Sequence, residues 1–114
     1  MTTVKIGDEQ RPLQVTPRVL SLWMQESGKG FEELSNLQMG DLETLIYHAL
    51  RSGYRAENKG RFPEWTRETF QDWMDGAQGF KAMKVIQDEL GQAMEAMGAD
   101  GEEAGNPTPA EAKS

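Results

Sequence analysis

The stretch Asp41–Gly53 reads D-L-E-T-L-I-Y-H-A-L-R-S-G and is the clearest guide to how this chain folds. Its apolar residues recur at intervals of three and four, which places them on one face of an α-helix. These residues are Leu42, Leu45, Ile46, Ala49 and Leu50. Asp41 is a suitable cap for the first turn, and Gly53 is a suitable stop. We therefore predict an amphipathic helix over residues 41–52.

The sequence that follows this helix predicts a loop and then a shorter helix. Residues 54–65 are polar and are interrupted by Gly60 and Pro63, a composition typical of a loop. Thr66 can cap a new helix with its hydroxyl group. Three apolar side chains then share one helical face, and we predict a helix over residues 66–75. They are Phe70, Trp73 and Met74.

A longer helix is predicted at the end of the foldable sequence. Gly76 and Gly79 indicate a turn, and apolar residues then recur in steps of three or four over residues 80–97. They are Phe80, Met83, Ile86, Leu90, Met94 and Met97. Gly91 lies in the middle and costs about 1 kcal/mol relative to alanine, which indicates a kink or a close contact.

The residues before Asp41 predict a hairpin and two more helices. Alternating apolar residues over 2–15, with a turn at Gly7-Asp8, indicate two short strands. Thr16 followed by proline is a strong helix start and predicts a helix over 17–27. A short helix is predicted over 31–38. The fold class is therefore mainly α, a small bundle of four to five helices with an N-terminal β-hairpin.

Composition divides the chain into a foldable domain, residues 1–97, and an acidic C-terminal tail, residues 98–114. The tail has no large apolar residue, so we expect it to be disordered. The formal net charge of −7 disfavours binding to nucleic acid or to an anionic membrane surface. No apolar run approaches the roughly 20 residues of a spanning helix, and no signal-peptide pattern begins the chain.

No catalytic, cofactor or metal site is evident in the sequence. The chain has no cysteine and a single histidine, His48, which lies off the apolar stripe and is expected at the surface or at the boundary of the core. A metal site would need more nitrogen or sulfur donors, and the acidic pairs lack calcium-loop spacing. These absences favour a protein that acts by binding partners.

Candidate partner-binding residues are large apolar or aromatic side chains near the predicted loop and on the last helix. Methionine-rich helices adapt to varied partners, but the same side chains could complete the core, and the spacing leaves both roles open. Trp65 could anchor the loop or a partner. The candidates are Met83, Ile86, Leu90, Met94, Met97, Tyr47, Tyr54 and Trp65.

Two motifs within Asp41–Asp75 resemble the tail assembly chaperones of long-tailed bacteriophages. The first is L-E-T-L-I-Y-H-A-L-R over residues 42–51, and the second is T-R-E-T-F-Q-D-W-M-D over residues 66–75. The family pattern matches the second motif at Thr66, Glu68, Phe70, Asp72, Met74 and Asp75. The intervening segment is longer and more basic than the family pattern.

The resemblance implies a non-enzymatic chaperone that binds the tape measure protein and helps to recruit tail tube protein. Self-association is a further expectation. Such a protein acts in the host cytoplasm, is expected to be absent from the mature virion, and in this family often has a longer frameshifted form. The alternative is a small helical structural or adaptor subunit of a phage particle. A nucleic-acid-binding regulator, suggested by the basic segment around Arg61, is a third reading.

Overall fold

The computed structural model describes residues 1–99. In this part of the chain two strands, β1 (Thr2–Ile6) and β2 (Glu9–Leu13), precede four α-helices and one short 3-10 helix. The α-helices are α1 (Pro17–Ser27), α2 (Met39–Glu57), α3 (Arg67–Met74) and α4 (Ala77–Ala99), and the 3-10 helix is Phe31–Ser35. The predicted fold class is confirmed for these residues. From residue 100 onward the predicted tail lies outside the described residues.

The N-terminal strands form an antiparallel hairpin in which Ile6 pairs with Glu9 and Thr2 with Leu13. Gly7 and Asp8 both have positive φ angles, 64° and 63°, as a two-residue type I′ turn requires. One face of the hairpin is apolar and packs on the helices. Its buried side chains are Val4, Ile6 and Leu13.

Helix α1 has the start and the end that its sequence predicts. The Thr16 hydroxyl accepts a hydrogen bond from the Val19 amide at 3.3 Å, and proline occupies the first turn. Gly28 ends the helix in a left-handed conformation, with φ at 73°, and its amide donates to the Met24 carbonyl. The predicted helix over 31–38 is shorter than expected and is a 3-10 helix.

Asp41 was expected to cap the central helix, and it does so from the third residue of α2, in a capping box with Gln38. Its side chain is buried and also joins α2 to α1. Its Oδ1 accepts from Trp23 Nε1 at 3.3 Å. Its Oδ2 accepts from Lys29 Nζ at 2.7 Å and from the Gln38 amide at 3.1 Å. Burial would raise the pKa of Asp41, but these hydrogen bonds outweigh it and hold that pKa below its ordinary value.

The prediction that Gly53 ends the central helix is wrong, because α2 continues to Glu57. Gly53 instead lets the helix approach strand β2 closely, since a Cβ atom here would collide with the carbonyl of Pro12. The Gln14 amide donates to the Ala49 carbonyl at 3.1 Å, next to the same contact. The helix therefore carries its last turn into the segment predicted as a loop.

Helix α4 begins earlier than predicted and includes Gly79, which was expected in a turn. A Cβ atom at Gly79 would meet the backbone of Met74, so glycine permits the tight corner between α3 and α4. Phe80 was expected on the apolar face but is 69% exposed. Gly91 has no neighbour within 4 Å of a Cβ position, so the predicted close contact is absent there.

The core surrounds α2, which contacts β2, α1, α3 and α4. Every residue of the apolar stripe predicted from Asp41–Gly53 is buried. The largest fully buried side chains come from all parts of the described chain: Ile6, Leu13, Val19, Trp23, Leu45, Ile46, Leu50, Phe70 and Ile86. The hairpin and the helices thus share one hydrophobic core.

Candidate partner-binding surface

The five candidates on α4 fall into two groups in the structure. Ile86 and Leu90 are buried in the core, and Met83 is half-buried against it. Met94 is half-buried near the end of the helix, and Met97 is 39% exposed. Met83 is accessible in part, and the last turns of α4 carry Met94 and the most exposed of the five candidates, Met97.

Two grooves flank these last turns of α4. One groove, of about 350 Å³, lies between the helix and the segment after the 3-10 helix, and Leu37, Gly91 and Met94 line it. The other, of about 210 Å³, lies against the start of α1, and Leu20 and Met97 line it. We call the two grooves and the helix between them the terminal surface. The larger groove is lined by polar as well as apolar side chains, whereas the smaller groove is mainly apolar and suits a partner helix.

The aromatic candidates lie where α2 meets α3. Tyr47 is buried, and its ring centroid is 5.3 Å from that of Phe70 and 6.0 Å from that of Trp65. Trp65 also contacts Trp73, at 5.4 Å between ring centroids. Tyr47 and Phe70 come from the two phage-like motifs, so the motifs pack against each other. This cluster stabilises the junction and leaves little of Tyr47 for a partner.

Tyr54 and Trp65 lie beside a small cavity against the hairpin. The cavity measures about 110 Å³, and Pro12 and Leu50 complete its apolar wall. Trp65 Nε1 is buried and has no hydrogen-bond acceptor among the described residues. Both side chains are half-buried. One part of each side chain packs between the hairpin and the segment after α2, and the other part is exposed to solvent.

Of the two positions expected for His48, the surface is excluded, because the residue is 7% exposed. Its Nε2 lies 2.8 Å from Glu26 Oε2, and Arg67 donates two hydrogen bonds to the same carboxylate at 3.1 and 2.9 Å. The Arg67 guanidinium also lies over the Tyr47 ring, 4.4 Å from its centroid. The cluster ties α1, α2 and α3 together.

The pKa values of this cluster follow from its geometry. Burial lowers the pKa of His48, and the Glu26 carboxylate offsets only part of that effect. The hydrogen bonds from Arg67, more than those from His48, hold the pKa of Glu26 below its ordinary value. At neutral pH the histidine is therefore neutral and donates Nε2–H to an ionised glutamate.

A histidine paired with a carboxylate invites comparison with a catalytic pair. Ser52 lies on the same face of α2 as His48, one turn later, and both line one cavity. The Ser52 hydroxyl donates to Gln14 Oε1 at 3.0 Å and is not hydrogen-bonded to His48. The Glu26 carboxylate accepts two hydrogen bonds from Arg67. The arrangement is therefore an ion pair between α1 and α3, to which His48 of α2 adds a hydrogen bond.

A basic groove lies beside His48 and was not predicted from the sequence. We call it the arginine groove. It is about 220 Å³ in volume and lies between α1 and α2. Its charged side chains are Arg18, Arg51 and Arg55, and Phe62 forms its outer edge. Arg51 and Arg55 lie 5.0 and 4.2 Å from the Phe62 ring centroid. Their spacing of four was visible in the sequence, but the helix was predicted to end between them.

Comparison with protein-family models, curated proteins and solved structures found no match. Within residues 1–99, no group of three or more histidine, cysteine, aspartate or glutamate side chains is placed to hold a metal ion. In the same residues, no helix combines the length and the apolar character needed to cross a membrane. Functional inference therefore depends on the chain's own surfaces and motifs.

Proposed function

We propose that this protein is a phage or prophage tail assembly chaperone that binds the tape measure protein and helps to recruit tail tube subunits. The observation that carries the proposal is the pair of motifs at residues 42–51 and 66–75, which resembles that family. A tape measure protein exposes long apolar helices, and a helical groove is a suitable surface for holding one.

The packing of the motifs supports separate roles for the two motifs, which form the scaffold, and for the terminal surface, which binds the partner. Leu45, Ile46 and Phe70 are fully buried, so the motif residues build the scaffold. The terminal surface, in contrast, keeps Met94 and Met97 accessible at the end of α4. Methionine suits a surface that must accept successive segments of a long partner, because its side chain is flexible and polarisable.

The proposal is tested by co-expressing the protein with the tape measure and tail tube proteins encoded beside it. We expect the tape measure protein to become soluble and to co-purify with this chain. Tape measure protein that stays insoluble and unbound would contradict the proposal. Detection of this chain in purified virions by mass spectrometry would instead favour the structural or adaptor subunit.

The surface is tested with the substitutions Met94→Asp and Met97→Asp. We expect binding of the tape measure protein to weaken at least about tenfold, because an unpaired carboxylate would be buried against apolar side chains. The matched control is Phe80→Asp, an exposed apolar residue about 25 Å away along the same helix. Equal loss of binding in the control would place the contact elsewhere on α4.

A further inference from the structure

The arginine groove has an excess of positive charge that the described residues do not balance. The protein as a whole carries a net charge of −7. Yet Arg18, Arg51 and Arg55 have no ion pair with a carboxylate anywhere in residues 1–99. No acidic residue lines the groove. Three guanidinium groups around one cavity form a site for a ligand with several carboxylates.

Two of the three guanidinium groups, those of Arg51 and Arg55, are already held in place by neighbouring groups. Arg51 donates to the Tyr47 hydroxyl at 3.1 Å, and Arg55 donates from Nε to the Gly60 carbonyl at 2.9 Å. Phe62 stacks against both arginines and is 57% exposed. Each guanidinium has further N–H groups beyond these bonds. Binding an anion would therefore require little reordering of side chains.

The end of the described chain lies next to this groove. Met97 and Ala96 line the smaller groove of the terminal surface together with Thr16 and Pro17. Thr16 also lines the arginine groove. The start of α1 therefore lies between the end of α4 and the arginine groove.

The residues that follow α4 carry the complementary charge. Asp100, Glu102 and Glu103 come directly after the end of the helix. Four residues of extended chain cover about 13 Å, enough to cross the start of α1. The first lysine after them is Lys113. The charge of this segment complements that of the arginine groove, and the segment begins on the other side of the start of α1.

We propose that residues 100–103 of this chain bind in the arginine groove, with their carboxylates against Arg18, Arg51 and Arg55. The proposal does not depend on the proposed function, because it concerns a contact within one chain.

The contact is tested by paramagnetic NMR on the full chain. The protein has no native cysteine, so Ala104→Cys carries a single nitroxide label beside the acidic residues. We expect strong broadening of the backbone amides of Arg51, Ser52 and Arg55. The broadening should fall at least about threefold in 0.5 M salt, which screens the charge attraction.

A charge-neutral segment provides the decisive comparison without changing the folded domain. In the labelled protein, Asp100→Asn, Glu102→Gln and Glu103→Gln together should reduce the broadening as salt does. Arg51→Gln with Arg55→Gln should do the same, whereas Arg61→Gln, an exposed arginine outside the groove, should leave it unchanged. Undiminished broadening in the charge-neutral variant would overturn the proposal.

Mixing experiments separate a contact within one chain from one between chains. Isotope-labelled protein without nitroxide is mixed with nitroxide-labelled protein at natural isotope abundance. Broadening in the mixed sample as strong as in the singly labelled protein would overturn the proposal, because the segment would then come from a second copy. We expect the mixed sample to show none.

Discussion

At the scale of single residues, the three-helix cluster around Glu26 joins parts of the chain that are distant in sequence. One carboxylate accepts two hydrogen bonds from Arg67 and lies 2.8 Å from His48 Nε2. The hydrogen bonds to Arg67 stabilise the charged form of Glu26 more than its partial burial opposes that form. The neutral histidine beside it makes the cluster sensitive to mild acid.

The free energy of unfolding should fall as the pH drops from 7.0 to 5.5. Burial lowers the pKa of folded His48 below its ordinary value, so the unfolded chain takes up the proton first. The stabilising contribution of neutral His48 is complete above the pKa of histidine in the unfolded chain, about 6.5. It is lost as the pH falls through the pKa of His48 in the folded protein. Urea titrations at both pH values measure this change.

The control for this prediction is His48→Gln, which retains a side-chain N–H donor but does not titrate. Histidine is the one side chain whose unperturbed pKa falls in this interval, and the chain has a single histidine. The pH dependence should therefore be much weaker in the variant, whatever its absolute stability. A wild-type protein that is more stable at pH 5.5 than at pH 7.0 would contradict the assignment.

At the scale of elements, the sequence predicted every helix but misjudged several ends. Local signals fixed α1 at both ends, because its capping threonine, proline and left-handed glycine act within the chain segment itself. Gly53 carried the same signal for a helix end, yet packing against β2 keeps the helix going. A glycine that permits a close approach and one that ends a helix look alike in a sequence.

That misjudged end also hid part of the candidate site. Ending the helix before Tyr54 placed Arg55 in a loop, so its alignment with Arg51 on one helical face went unseen. The buried position of Ile86 and Leu90 was equally invisible, since helical spacing shows which residues share a face and not what covers that face. Both features depend on tertiary contacts.

Two glycines inside helices should respond to alanine in opposite directions. Gly53→Ala should lower the free energy of unfolding by about 1–3 kcal/mol, because the new methyl group collides with the Pro12 carbonyl. Gly91→Ala should raise it by up to about 1 kcal/mol, since α4 has open space there and alanine favours the helix. Chemical denaturation of both variants measures the difference. A destabilised Gly91→Ala variant would show that this part of α4 is not a free helical surface.

At the scale of the whole molecule, the N-terminal hairpin connects the ends of the described chain. The Thr2 hydroxyl donates to Glu89 Oε2 at 2.7 Å, and the Gly7 amide donates to Gln78 Oε1 at 3.0 Å. Arg11 lies over the Trp73 ring, 4.1 Å from its centroid. These contacts join residues about 60 or more positions apart, so no local sequence pattern predicts them.

A hairpin held this way should unfold together with the helices. A two-stranded hairpin is marginal by itself, and here its apolar face completes the core around α2 and α4. Ile6 is fully buried, so Ile6→Ala should destabilise the protein by about 2–5 kcal/mol. Thr3→Ala, on the exposed face of the same strand, should change stability by no more than about 0.5 kcal/mol.

Two optical probes distinguish global from local unfolding in the Ile6 variants. Far-UV circular dichroism reports the helices. Tryptophan fluorescence reports Trp65 and Trp73 beside the hairpin as well as Trp23 between α1 and α2. We expect the midpoints of both probes to shift together. If Ile6→Ala does not fold, Ile6→Val should show the same coincident shift with a smaller loss in the free energy of unfolding, about 0.5–1.5 kcal/mol. A fluorescence change that precedes the loss of helix would mean that the hairpin melts separately and that the helices do not need it.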